Sequence, residues 1–283
     1  MFDAPKKNEF TQGTVFSCAY GENYKDGPVY GLVITARCDA VQEKVPVFNY
    51  FPLVPLSSWI LNEGAALVLE RIEADSLNTI RNYLKAAKLS DSLLKSHSPD
   101  AIYNAHFRAH ENEKGRKSQC DKFREAAKQF SETHALLLGS RVDTQKLKEH
   151  LVPHQGKVDA VLKELAGHRL AGYYLLRELE SLEDGVSGDY VALLREVHHI
   201  PSSVAKQIAK GISAEGGDFV EGALSICPKF RFKNDISLPV GKLKSPWIEH
   251  LMQNFAMLFS RIGVKDNDFE DVKKSLSNIG LGG

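Results

Sequence analysis

The chain has 283 residues, 43% of them hydrophobic and 25% charged. This is ordinary globular usage for one large or two modest domains, so a collagen-like or wholly disordered chain is excluded. Lys plus Arg equals Asp plus Glu at 36 each, which removes any global field towards nucleic acid or anionic lipid.

Met1 to Glu9 is polar and lysine-bearing, without the apolar stretch of a signal peptide. Val15–Tyr20 reads as a strand. Gly21 to Pro28 is rich in Gly, Asn, Asp and Lys, which is loop chemistry. Val29–Thr35 is a continuous apolar and β-branched run that suits a strand buried on both faces. Arg37-Cys38-Asp39 follows where that strand exits into a loop. Val45–Leu56 is aromatic and β-branched but carries Pro46, Pro52 and Pro55, so it is an edge strand or one bent between two pairings.

The period changes at Ser57. Ala65–Leu69, Ile72, Leu77, Ile80, Leu84 and Leu89 fit helical spacing, with Asp75 or Ser76 as a plausible N-cap. Ser98-Pro99 marks a second helix start. Phe123, Ala127, Phe130 and His134 continue an amphipathic helix. Leu147 to Leu165 gives one more.

Strand signals return at Arg169–Leu176 and Tyr190–Val197, which read as a hairpin with a long loop. Pro201 opens a short helix to Ile212, and Ala223–Ile226 is a further strand. The final helix runs from Ser245 to Ile262. Ser245 is its expected N-cap, Pro246 its first residue, Glu249 its capping partner and Gly263 its stop. Its stripe of Leu251, Phe255, Leu258, Phe259 and Ile262 is expected to be covered within the chain.

Three short strands near the N-terminus cannot close a core alone. The expected fold is therefore α+β. A small barrel is drawn from residues 10–60 plus 168–283, which also supply the C-terminal helix, and residues 61–167 are a helical insertion.

Several residues are candidates for chemistry. Arg37 beside Cys38 suits a thiolate nucleophile, and the competing reading makes Cys38 a small buried hydrophobe with Asp39 capping the turn. His198-His199 beside Glu196 invites a metal reading, but neighbours on a strand point to opposite faces. His106 and His110 share a helical spacing without a metalloprotease pattern, and no metal site is expected. Arg108, Lys114, Arg116, Lys117 and Arg124 form a basic stretch that suits phosphate or an acidic partner, but Glu111, Glu113, Asp121 and Glu125 interleave with it. The chain has no Walker loop, no GxGxxG and no GxSxG, so no cofactor is expected. Cys18, Cys38, Cys120 and Cys227 show no CxxC spacing. Reduced thiols and a cytoplasmic location are the simplest expectation.

The first sixty residues resemble the barrel of the MazF/PemK toxins, which are mostly messenger-RNA ribonucleases. Gln12-Gly13 then Val15-Phe16 match the family's opening, Gly27-Pro28-Val29 leads into Val33-Ile34-Thr35, and Val54-Pro55-Leu56-Ser57-Ser58 lies where a strand ends in a hydroxyl-bearing turn. The resemblance implies an SH3-like fold and a catalytic hydroxyl at the Ser57-Ser58 turn; an enzyme would draw its other catalytic groups from Arg37, Cys38 and Asp39. The family's catalytic arginine lies before the second strand, whereas no arginine lies between Phe16 and Ala36 here, and Thr14 replaces the opening aspartate. Lys25 is the nearest cation and lacks the bidentate fork of arginine. Leu243–Trp247 with Arg261-Ile262-Gly263 also resembles uncharacterised bacterial proteins of defence or toxin-like neighbourhoods.

Two functions follow. The first is a non-catalytic interaction subunit of a bacterial defence or toxin-like system. The second is a nucleic-acid-processing enzyme on a toxin-like barrel. The expected partner is a protein, with nucleic acid and a second copy of the chain as further candidates, and no membrane.

Overall fold

The computed structural model describes residues 1–6, 8–25, 27–41, 45–139, 143–180, 185–213, 223 and 236–260. In chain order its strands are β1 (Phe2–Asp3), β2 (Thr14–Phe16), β3 (Tyr30–Val33), β4 (Val47–Pro55), β5 (Tyr173–Glu180), β6 (Ser187–Leu193), β7 (His198–Pro201) and β8 (Pro239–Leu243). Its helices are α1 (Arg37–Val41), α2 (Leu56–Trp59), α3 (Ala65–Ala86), α4 (Pro99–Ile102), α5 (Lys117–Leu138), α6 (Thr144–Leu151), α7 (Gln155–Ala166), α8 (Ser202–Ile208) and α9 (Trp247–Met257).

The described strands form one antiparallel sheet in the order β1-β8-β2-β3-β4-β6-β5, with β7 also on β4. It is a nearly closed barrel, and the fold is α+β. Strand β4 pairs with β7 through Val47–Tyr50 and with β6 through Leu53–Pro55. Pro52 falls in the gap between those partners, so its missing N–H breaks neither of these two ladders. Between β2 and β3, Phe16 lies opposite Gly31, and a Cβ at Gly31 would stand 2.3 Å from the Phe16 ring. Only glycine lets that ring lie across the strand. Strand β8 was not expected from the sequence, because Pro239 and Gly241 are poor strand residues. It pairs with β2 all the same.

Alternation along the strands makes two cores. Phe16, Val33, Tyr50, Val54, Val191 and Leu193 face one side, where α3, α6, α7 and α8 cover them. Val15, Leu32, Phe51, Leu53, Tyr174 and Ala192 face the other, where Ile248 and Leu251 of α9 cover them. Helix α3 serves two clusters. Val68, Leu69 and Ile72 join the first core, while Ile80 and Leu84 join Ile102, Phe107, Cys120 and Phe123 in a third. That third cluster draws every member from the insertion.

Several expected boundaries move. No helix starts at Asp75 or Ser76, because Ser76 Oγ donates 2.8 Å to the Ile72 carbonyl and is satisfied inside α3. The helix expected over Leu147–Leu165 is two helices, α6 and α7, broken where Pro153 cannot donate. Helix α9 begins at Trp247 with Pro246 in the N-cap position and no side-chain cap. The Lys244 carbonyl takes its place, accepting the N–H groups of Trp247 at 2.9 Å and Ile248 at 3.3 Å. Of the strand expected over Ala223–Ile226, only Ala223 is described, and it is helical and buried. Ile262 and Gly263 lie outside the described residues.

Of the stripe, Leu251, Phe255 and Leu258 pack within the chain. Phe255 packs on Phe51 with ring centroids 4.9 Å apart, and Leu251 is wholly buried. Phe259 is the exception at 63% exposed. Leu251→Ala should cost about 2–5 kcal/mol of unfolding free energy, as for a buried leucine. Urea unfolding checks this, and an unchanged midpoint would show that α9 does not complete the core.

The same helix carries a histidine contact. Tyr174 Oη and His250 Nδ1 lie 2.8 Å apart, and His168 stacks on the Tyr174 ring at 4.0 Å. His168 Nδ1 is buried with no hydrogen-bond partner among the described residues. Burial, then the neighbouring His250, hold the His168 imidazole below its ordinary value of 6.5. The unfolded chain therefore binds a proton that the fold resists, and stability present above pH 6.5 falls as the pH drops below it. His168 sits at φ 53°, a conformation that asparagine tolerates. Melting temperatures measured from pH 7 to 5 should fall less steeply in His168→Asn than in the parent. The slope should flatten without vanishing, because burial also lowers His154.

Candidate functional site

The expected catalytic residues lie at two ends of β3. Arg37, Cys38 and Asp39 are exposed on α1, beyond its C-terminal end. The Cys38 thiol makes a long contact of 3.5 Å to Asp39 Oδ1. Cys38 is thus not the buried hydrophobe of one sequence reading; among the described residues the buried free thiol is Cys120. Ser57 and Ser58 follow Leu56 in α2, beside the loop that precedes β3. Ser58 Oγ stands 4.0 Å from where a side chain on Gly27 would begin. Arg108, Lys114, Arg116, Lys117 and Arg124 are all exposed on the insertion. Arg116 pairs with Glu113 at 3.7 Å and Arg124 with Asp121 at 2.9 Å.

What the fold does bring together is a set of carboxylates, tyrosines and a histidine around residues 20–25. Between α2 and α3 the chain makes one π turn, Ile60–Gly64. Such a turn inserts a residue and re-aims the side chains it carries, and it recurs at functional sites. Here it carries Glu63. Tyr24 Oη donates to Glu63 Oε1 and Tyr173 Oη to Glu63 Oε2, each at 2.7 Å. One carboxylate therefore ties the loop, the long helix and β5. Burial, followed by the bond to Glu63, pushes both phenols above the ordinary tyrosine range. Gly64 makes room for this turn, since a Cβ there would lie 2.7 Å from Ile60 Cδ1 and 2.8 Å from the Trp59 ring. That indole packs edge-on to Tyr173 at 5.2 Å.

The loop is gripped again on its other side. Glu196 Oε1 accepts the backbone N–H of Glu22 at 2.6 Å and lies 2.7 Å from His198 Nε2. A carboxylate oxygen accepts, so Nε2 carries the proton. His198 is the register partner of Tyr50, and its ring sits 4.9 Å from Tyr20 and 5.7 Å from Tyr50. Tyr20 N–H in turn donates to Tyr50 Oη at 3.3 Å. His199 points away and is exposed. The possible ligand atoms of Glu22, Glu196 and His198 all lie within 4.8 Å of one another. Sequence reading missed this set because it weighed His198 against His199. The available signal was Glu196-x-His198, an acid and a histidine close in the chain. Glu22 gave no signal at all.

Two other features stand apart. His110 pairs with Glu113 at 2.7 Å, while His106 is exposed. A cleft of about 450 Å³ lies between residues 8–11, Phe48 and α8. At its rim Lys242 bonds Glu9 at 2.7 Å and also Thr11, and that bond to Lys242 is the main reason the Glu9 carboxyl lies below its ordinary value. Among the described residues, no helix is long and apolar enough to cross a membrane. No protein-family model, curated protein or solved structure shows significant similarity to the chain.

The Tyr24–Glu63–Tyr173 clamp has an alkaline signature. Its phenols are raised above the ordinary 10.0, so their contribution is fully present below pH 10 and is lost as the pH rises past it. In an alkaline titration, their tyrosinate absorbance should appear only together with loss of far-UV circular dichroism. Free titration of every tyrosine in a folded chain would refute the clamp.

Proposed function

We propose that this chain is a non-catalytic interaction protein of a bacterial defence or toxin-like system, in which the barrel is a scaffold and the helical insertion docks a protein partner. The observation that carries this reading is the insertion's own core of Ile80, Leu84, Ile102, Phe107, Cys120 and Phe123. A chain that only needed to close its barrel had no use for a third core. Helix α3 has 22 residues, which span about 33 Å, so that core holds its surface well away from the sheet. The surface mixes signs. Arg116, Arg124 and Lys128 pair with Glu113, Asp121 and Glu132. A phosphate backbone selects uncompensated cations, whereas a protein partner matches a patterned surface of both charges. The separation of Arg37–Asp39 from Ser57 and Ser58 also favours this reading over ribonuclease chemistry.

Proximity labelling in cells that express the chain tests it, comparing the parent with an Arg116→Glu, Lys117→Glu, Arg124→Glu variant. These side chains are exposed, so the variant should fold and lose its protein partner. An unchanged set of labelled proteins would refute the proposed surface. RNA cleavage by the purified chain that Ser58→Ala abolishes would replace the scaffold reading with an enzymatic one.

A further inference from the structure

We propose that Glu22, Glu196 and His198 bind a divalent first-row transition-metal ion that clamps the loop around residue 22 onto the corner between β6 and β7. The three residues come from two segments far apart in the chain, yet their ligand atoms lie within 4.8 Å of one another. An ion with ligands at about 2.0–2.2 Å places those ligands roughly 3–4 Å apart, so small side-chain adjustments suffice. The donor set is one imidazole and two carboxylates. Imidazole favours transition metals over Mg²⁺ or Ca²⁺, and the absence of thiolate from the set favours Mn²⁺, Fe²⁺ or Zn²⁺ over softer ions. Two carboxylates balance the charge of a divalent ion.

The histidine is already oriented. The rings of Tyr20 and Tyr50 pack against it and limit its rotation. The side chains of His198 and Glu196 are 15% and 21% exposed, sheltered but reachable. The Nε2 proton now directed at Glu196 moves to Nδ1 by tautomerisation. That frees the Nε2 lone pair for the ion without net proton release from a neutral ring. Three protein ligands leave further positions for water or for a group brought by a partner.

Glu22 supplies the decisive variant. Its bond to Glu196 runs through the backbone N–H, which glutamine keeps, and its side chain is exposed. Glu22→Gln therefore removes a ligand and retains that pin. Mn²⁺ is titrated into the full chain at pH 7.5, and the free ion is followed by electron paramagnetic resonance. We expect one equivalent to be taken up saturably, with binding weakened at least about tenfold in Glu22→Gln, a ligand loss comparable to removing a supporting group. His198→Gln should abolish uptake. Binding should persist in equimolar Mg²⁺. Absence of saturable uptake, equal uptake by parent and Glu22→Gln, or displacement by equimolar Mg²⁺ would each overturn the assignment. If His198→Gln does not fold, Glu22→Gln decides alone.

Discussion

Strand β4 buries Phe48, Tyr50 and Val54 in one core and Phe51 and Leu53 in the other, and it must do so while carrying prolines. A strand covered on both faces needs partners on both edges as well, since a buried unpaired backbone group costs about as much as a lost hydrogen bond. Strand β3 covers one edge. No single strand covers the other, and the task is divided between β7 before Pro52 and β6 after it. The corner between those two strands is consequently fixed in place, and Glu196 lies on it. The polar cluster thus sits where β4 changes partner.

The loop that follows β2 inherits this geometry. It joins β2 to β3, but beyond the bond from Ala19 N–H to the Val29 carbonyl side chains do much of the holding. Glu63 grips it through Tyr24 and Glu196 through the Glu22 backbone. Those two acids stand on different bodies, the helix that leads into the insertion and the sheet corner. Segments held by side chains instead of a ladder lie at the low-stability end of a fold and are where adjustable function is usually drawn from.

The barrel and its insertion were legible in the sequence because period is a strong signal. Val29–Thr35 and the Ala65–Leu84 stripe each announce their element. Local corrections arose where one side chain altered the expected boundary, as when Ser76 back-bonded within its helix or Pro153 split one. The polar cluster was not legible. Glu22 and Glu196 are remote in the chain, and nothing in Gly21-Glu22-Asn23 distinguishes a clamp from a solvated loop. Glu63 owes its position to a π turn, which hydrophobic spacing does not reveal. Cys38 misled for the opposite reason, since an apolar strand before it suggested burial and the chain had already turned out to solvent.

Attachment of the insertion explains why it can be an arm without being loose. Its proximal half is part of the barrel's own core through Val68, Leu69, Ile72, Val161 and Leu165. At the boundary, Arg71 forks onto Glu164 with bonds of 3.0 and 2.6 Å, and Lys157 pairs with Asp75. A bidentate pair fixes orientation as well as distance, and helix α3 continues past it without a break. One continuous helix therefore joins the distal core to the barrel. The near end of α3 adjoins the π turn that carries Glu63, whose carboxylate bonds the two tyrosine hydroxyls. Of these, Tyr173 is anchored on β5 and Tyr24 on the loop, and the loop is the part free of regular sheet pairing. Through Glu63 the arm is thus joined to Tyr24, two residues from Glu22.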